Sequence, residues 1–419
     1  MVDIIKRLKD NKEGKVLIKN FGYLSLMELI SKFFPLLTTP YLARVLGVDI
    51  FGLLAIGTAV VAYFECITNY GFIYTSVREA ARHKNNTHEL SYIYSVTIYA
   101  KILLMVLSII ILLVCILFIP FVEKNSQVII CTFLLIPGSV INTDWMFQAL
   151  EDMKYITIRN VATKIIFTLL VFIFIHKPDD YLWQPILIAI GTFIPSIWGI
   201  FVLKERYGIH FMKPTIGDIL IQLKDGFNMF VSIFLPTIYT QLNTLFLGYY
   251  NGNYATGIYS GGTRFTSLIY SMFQVVSRTV YPFFSRRLDK HQLYTAFSLF
   301  FSVIVSIVLF VFSEPLVLFF LGKDFSQTVI VLKIVSITPI AMTLMNCYGF
   351  NYLVLQGRED IMRNIIVFIT VVGLVLGIWG ACAYSYIGVA IASVTTQSLR
   401  ALLITYYALK TKRNVTKVK

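Results

Sequence analysis

Apolar runs of about 20 residues recur from one end of this 419-residue chain to the other. Each is long enough to cross a hydrocarbon layer of about 30 Å. Nothing in such a layer can hydrogen-bond an open amide or carbonyl, so a crossing segment closes its own backbone bonds as a helix. Twelve spans are predicted, at 19–44, 50–76, 92–119, 127–149, 157–176, 182–203, 226–248, 254–283, 294–320, 327–355, 362–382 and 387–409. The expected fold is an all-α polytopic membrane protein. Composition agrees: 57% of the residues are hydrophobic and 14% charged, where soluble domains carry about 25% charged residues.

Loop charges orient the spans. With the N-terminus in the cytoplasm, 25 Lys and Arg fall on the cytoplasmic side, against Lys124, Lys177 and Lys323 opposite. The positive-inside rule then predicts that both termini are cytoplasmic. Much of the net charge of +14 is this signal, so nothing calls for a nucleic-acid partner. The polar N-terminus leads into no short apolar stretch with a cleavage site, and no cleaved signal is expected.

The chain repeats itself. Glycines stand at 47, 52 and 57 in YLARVLGVDIFGLLAIG and at 252, 257 and 262 in FLGYYNGNYATGIYSGG, an offset of 205. The end of span four (Gln148, Glu151, Asp152) and of span ten (Gln356, Glu359, Asp360) share QxxED at an offset of 208. Duplication predicts two six-span lobes, 1–210 and 211–419. An even number of spans inserts both copies the same way up, so their pseudo-two-fold axis runs along the membrane normal.

Charges inside the spans are the candidate site. Glu28, Glu65, Asp144 and Glu314 are the acids; Lys32, Arg44, Lys101, Lys164, Arg264, Arg278, Lys333 and Arg400 are the bases. A charge at mid-bilayer costs about 2.5–3.5 kcal/mol on insertion scales, so it persists facing water or a partner. Arg44 and Arg278 lie near span ends and can snorkel. Glu28 and Lys32 are spaced as a helical pair and could neutralise each other. Lys101, Arg264 and Arg400 lie deep with no acid within one turn, and Lys164 likewise lacks one. Pairing between helices with Glu65 or Asp144 stays open. A net positive interior suits an anion, and guanidinium binds phosphate oxygens in pairs. Lys32, Lys101, Lys164, Arg264 and Arg400 are the candidate substrate-binding residues. Glu28, Glu65 and Asp144 are candidates for carrying a coupled proton or cation.

Tyr23, Tyr63, Tyr70, Tyr239 and Tyr259 could stack on sugar rings, or simply pack. Prolines 35, 137, 195, 236 and 339 are expected to kink their spans. The five cysteines sit in apolar runs without metal spacing, and no metal or cofactor is expected. There is no P-loop, HExxH or GxSxG, and the short outer loops leave no room for a catalytic domain. A transporter is expected rather than an enzyme.

Three features carry a family resemblance: Tyr41-Leu-Ala-Arg44-Val-Leu-Gly47 with Phe51-Gly52-Leu; Asn69-Tyr-Gly71; and the ends of spans four and ten. Together with the 6+6 arrangement they resemble the Wzx-type O-antigen and polysaccharide flippases of the multidrug/oligosaccharidyl-lipid/polysaccharide exporter superfamily. The resemblance implies transport across the bacterial inner membrane. Its cargo would be a polyprenyl-diphosphate-linked oligosaccharide, moved from the cytoplasmic to the periplasmic leaflet for lipopolysaccharide biosynthesis. Polymerase and chain-length proteins would act downstream as partners. It also makes Lys32 and Arg264 the best-placed cations. An organic-cation antiporter of the same superfamily and a peptidoglycan lipid precursor flippase are the alternatives.

Overall fold

The computed structural model describes residues 12–284, 291–354, 356 and 358–418, with side chains for all of these except 12–29, 32, 239, 275–284, 350, 359 and 412–418. Every long element among them is a helix: α1 (Lys12–Asn69), α2 (Phe72–Arg82), α3 (Thr87–Phe118), α4 (Pro120–Lys124), α5 (Ser126–Phe133), α6 (Leu135–Val140), α7 (Asp144–Ala149) and α8 (Met153–Phe174). There follow α9 (Trp183–Tyr207), α10 (Ile216–Phe284), α11 (His291–Val311), α12 (Ser313–Phe320), α13 (Thr328–Val335), α14 (Thr338–Leu344), a π-helix at Met345–Val354, and α15 (Glu359–Val418).

Nine helical stretches among the described residues are long and apolar enough to cross a bilayer. Three of them, Phe33–Arg82, Ile216–Gln274 and Asp360–Thr411, run for 50, 59 and 52 residues. At 1.5 Å per residue each is about 75 Å or longer, which is two crossings. Each is broken inside by non-helical backbone, at Gly47, at Gly252 and at Tyr384–Ser385 respectively. Counted as pairs, these three bring the crossings to the twelve that hydropathy predicts.

The chain forms two compact units. Unit 1 is the chain up to Thr38 with Val60–Phe234; unit 2 is Thr39–Ala59 with Leu235–Lys419. In unit 1, α3 starts on Asn86, whose side chain accepts from the His88 and Glu89 amides and so satisfies donors that a helix start leaves open. Its core gathers Tyr94, Trp145, Met146, Phe147 and Leu203. The linker after α9 is stitched to this unit. The His210 and Met212 amides donate to the Ser91 and Ser95 hydroxyls at 3.1 and 2.7 Å, and Gln222 bonds Ser76 and Thr97. The core of unit 2 gathers Leu247, Ile258, Phe325, Val331, Leu332 and Val389.

Predicted spans four and ten are each cut into three pieces, whereas span two is interrupted once, at Tyr70–Gly71, and span nine once, at Phe312. Span four is delivered as α5, α6 and α7, and span ten as α13, α14 and the π-helix. Pro137 and Pro339 fall in these segments, as their missing amides require. At Pro35, Pro195 and Pro236 the helix runs on.

The glycine repeat divides into two duties. Gly47 (φ 74°, ψ 176°) and Gly252 (φ 81°, ψ −173°) adopt the same backbone break, in a region that is essentially glycine-only, and an added Cβ would touch nothing at either. Gly52 and Gly257 answer to packing instead. A Cβ on Gly52 would lie 1.9 Å from the Asn253 carbonyl oxygen, and one on Gly257 2.1 Å from that of Val48. Val48 and Asn253 are themselves 205 apart, so the contact is reciprocal, as two copies of one motif make when they meet face to face. Gly47→Ala should cost about 1–3 kcal/mol of backbone strain. Gly52→Ala must also push two backbones apart, so thermal melts of the purified proteins should show the larger drop for Gly52→Ala.

Candidate functional site

In unit 1 the membrane charges answer one another. Lys101 sits mid-helix in α3, 14 residues from its start, or about 21 Å of rise. It is buried, and its ammonium donates to Asn69 Oδ1 at 3.2 Å. Asn69 ends α1, where Tyr70 (φ 47°) and Gly71 (φ 81°) take left-handed backbone and turn the chain into α2. Its Nδ2 passes a second bond to Ser139 Oγ at 3.1 Å. Glu65, one turn before Asn69 on the same helix, lies within electrostatic reach of Lys101, and so does Asp144.

Asp144 opens α7, and its amide donates to Asn142 Oδ1 at 3.0 Å. The chain turns back at Glu151, a non-glycine residue at φ 59°, and brings Arg159 of α8 against the Asp144 carboxylate. Nε and Nη2 each donate to one carboxylate oxygen, and Asn160 Nδ2 adds a third bond at 3.3 Å. Guanidinium and carboxylate thus form a two-pronged pair. The same turn is fastened from outside: Lys84 Nζ lies 2.7 Å from Glu151, and the Tyr207 hydroxyl donates to Asp152 at 2.7 Å. The acids of the first QxxED therefore fix the span-four end. Lys164 is half-buried on α8.

Unit 2 is different. Arg264 stands on α10, 12 residues past the Gly252 break, or about 18 Å of rise. It is exposed, and its guanidinium lies over the ring of Phe51, 5.0 Å from the centroid. Among the described residues no carboxylate pairs with it. Arg400, on α15 and 15 residues past Ser385, is half-buried, and its Nε is enclosed without a hydrogen-bond partner among the described residues. Lys333 is exposed on α13. Arg44 donates to the Phe319 carbonyl at the end of α12, where cations complement the helix dipole. In unit 1 Asp144 and Lys101 are held by partners of the same unit, Arg159 and Asn69; in unit 2 the Arg264 guanidinium is met by a ring.

The predicted residues are therefore sorted rather than gathered at one point. Lys101, Glu65 and Asp144 share one polar network with Arg159; Arg264 and Arg400 stand apart in the other unit. The side chains of Glu28 and Lys32 lie outside the described residues, as do those of Tyr23 and Tyr239. Tyr70 stacks on Phe230 with centroids 4.6 Å apart, Tyr63 meets Phe234 edge-on, and Tyr259 is buried. Sequence reasoning counted Arg159 among the loop charges. Its place as the partner of Asp144 depends on a turn that no local spacing announces. Phe51 was missed for the same reason, being 213 positions from Arg264.

Comparison with known proteins places this arrangement. The family described as "Polysaccharide biosynthesis protein" matches residues 17–288. A protein of Escherichia coli (strain K12) named "Putative O-antigen transporter" is 24% identical over 403 residues, covering 94% of this chain and 97% of that protein. One of the same name from Shigella dysenteriae is 25% identical over 393 residues, covering 92% and 98%. Among solved structures, an inward-facing multidrug resistance MATE transporter of the MOP superfamily superposes with a TM-score of 0.72 at 13% identity, covering 94% of this chain and 95% of that one. The lipid II flippase MurJ in an inward closed conformation gives 0.71 at 16%, covering 91% and 86%. The chain shares its fold with these two structures.

Removing Asp144 leaves the buried Arg159 guanidinium without its carboxylate, and removing Arg159 leaves Asp144 only Asn160 and the more distant Lys101. Asp144→Asn or Arg159→Gln should each destabilise unit 1 by about 3–5 kcal/mol. The double variant should lose less than the sum of the two. Melting of all three proteins in one detergent checks this.

Proposed function

The chain belongs to the polysaccharide biosynthesis protein family, and from that premise we propose that it is a flippase for a polyprenyl-diphosphate-linked oligosaccharide. The cargo moves from the cytoplasmic to the periplasmic leaflet by alternating access of the two repeat halves. The observation that carries this reading is Arg264: deep in a crossing, exposed, and unpaired with any described carboxylate. A diphosphate brings two adjacent anionic centres, and a guanidinium fork suits their oxygens. The names of the two relatives, both O-antigen transporters, support the same class of cargo.

In this mechanism the lipid diphosphate enters from the inner leaflet and its charge is met by Arg264, with Arg400 of the same unit as the second cation. The sugars remain hydrated and the polyprenyl tail stays in lipid, so neither is moved out of the medium it favours. Glu28, Glu65 and Asp144 are the acids available for a coupled proton or cation. Of these, Asp144 is held by Arg159, and Glu65 faces the single ammonium of Lys101, which leaves Glu65 the freer carrier of the two. The excess of Lys and Arg on one side of the spans supports an inner-membrane orientation with both termini cytoplasmic. A polymerase and chain-length proteins would take up the delivered unit.

An organic-cation antiporter would want acids where this chain offers Arg264 and Arg400. Charge reversal separates the readings. Arg264→Glu should abolish surface polysaccharide while protein levels hold, and lipid-linked single units should build up on the inner leaflet. Normal surface polysaccharide in that strain would remove Arg264 from the site, and gain of lipophilic-cation efflux would favour the antiporter.

A further inference from the structure

We propose that Phe51 is a positioning residue for Arg264: its ring is a platform that fixes the guanidinium plane toward the cargo's diphosphate without neutralising it. This rests on the reading of Arg264 as the diphosphate-binding cation. A guanidinium in a low-dielectric layer needs a partner. A carboxylate would supply one and cancel the charge on which the cargo depends. An aromatic face attracts the cation through its quadrupole and carries no net charge. The distance of 5.0 Å from Cζ to the ring centroid lies within the range where that attraction acts.

The platform is itself held. Phe51 is 5% exposed and packs edge-to-face on Phe325, with centroids 5.5 Å apart and planes at 86°. Its neighbour Gly52 is the residue whose missing side chain lets this segment lie backbone-to-backbone on Asn253 and Gly257. Gly257 is seven residues, about two helical turns, before Arg264 on the same helix. The glycine contact therefore brings ring and guanidinium to one level.

The repeat gives an internal control. At the offset of 205, Phe51 corresponds to Thr256 and Arg264 to Ala59. The glycines that make the contact occur in both copies, and the ring and the cation occur in one. A pair needed only to pack the motif would be expected twice. The cation and its platform are an addition to one copy, as a site for a single anionic group requires.

The test is binding of undecaprenyl diphosphate to the purified full-length protein in detergent, for wild type, Phe51→Leu, Phe51→Tyr, Arg264→Gln and the double variant Phe51→Leu/Arg264→Gln, with melting measured on the same samples. Phe51→Leu keeps an apolar side chain and removes the π face; it should weaken binding about 3- to 10-fold, the range of a cation–π contact. Phe51→Tyr should recover most of that loss. The double variant should bind no more weakly than Arg264→Gln alone, because the platform acts only through the guanidinium. Unchanged binding in Phe51→Leu, or losses that add in the double variant, would overturn the platform while leaving Arg264 in place. A melting loss in Phe51→Leu of the same size with and without Arg264, together with intact binding, would reduce Phe51 to packing. Wild-type binding in Arg264→Gln would instead remove the cation from the site, and the platform with it.

Discussion

Hydrocarbon solvates neither an open peptide group nor a charge, and both halves of that constraint are visible in this protein. The first half makes every crossing a helix and confines irregular backbone to places where something answers it. The breaks at Gly47 and Gly252 need only a residue without a Cβ, and an added one would meet nothing. The second half sorts the ionic side chains. In unit 1 they are drawn into a network in which Asp144 is held by Arg159 and Lys101 by Asn69. In unit 2 the guanidinium of Arg264 is met by a ring.

That contrast bears on how an anion could be carried. A buried ion pair is a poor ligand for a third charge, because each member already has what it needs and both have given up their hydration. A cation stabilised by an aromatic face keeps its full charge and a fixed plane. The network of unit 1 ties helices to one another through Asp144–Arg159 and Lys101–Asn69. On the function proposed above, Arg264 of unit 2 keeps its charge for a cargo that arrives with its own negative charge.

Much of this was legible in the residues. Span number and helical class follow from apolar run length, which is local and additive. The internal repeat was legible as a glycine spacing, and its structural meaning proved double: Gly47 and Gly252 serve the backbone, while Gly52 and Gly257 serve a contact between the copies. The QxxED ends were legible as a motif. That Glu151 reaches Lys84 and Asp152 reaches Tyr207 was not, since these partners are 67 and 55 positions away.

What the amino-acid order determined by itself is therefore the medium, the number of crossings, the repeated glycine spacing and the inventory of charges placed in lipid. Each depends on the chemistry of a residue and its near neighbours. Which charges cancel and which stay available was decided by tertiary structure alone. Arg159 counts as one more loop cation until the turn at Glu151 lays it on Asp144, and Phe51 is only part of a family motif until two glycines let its segment close on α10. Pair energies fall steeply with distance, and in a folded helical chain distance is set by which helices touch, not by how many residues separate them.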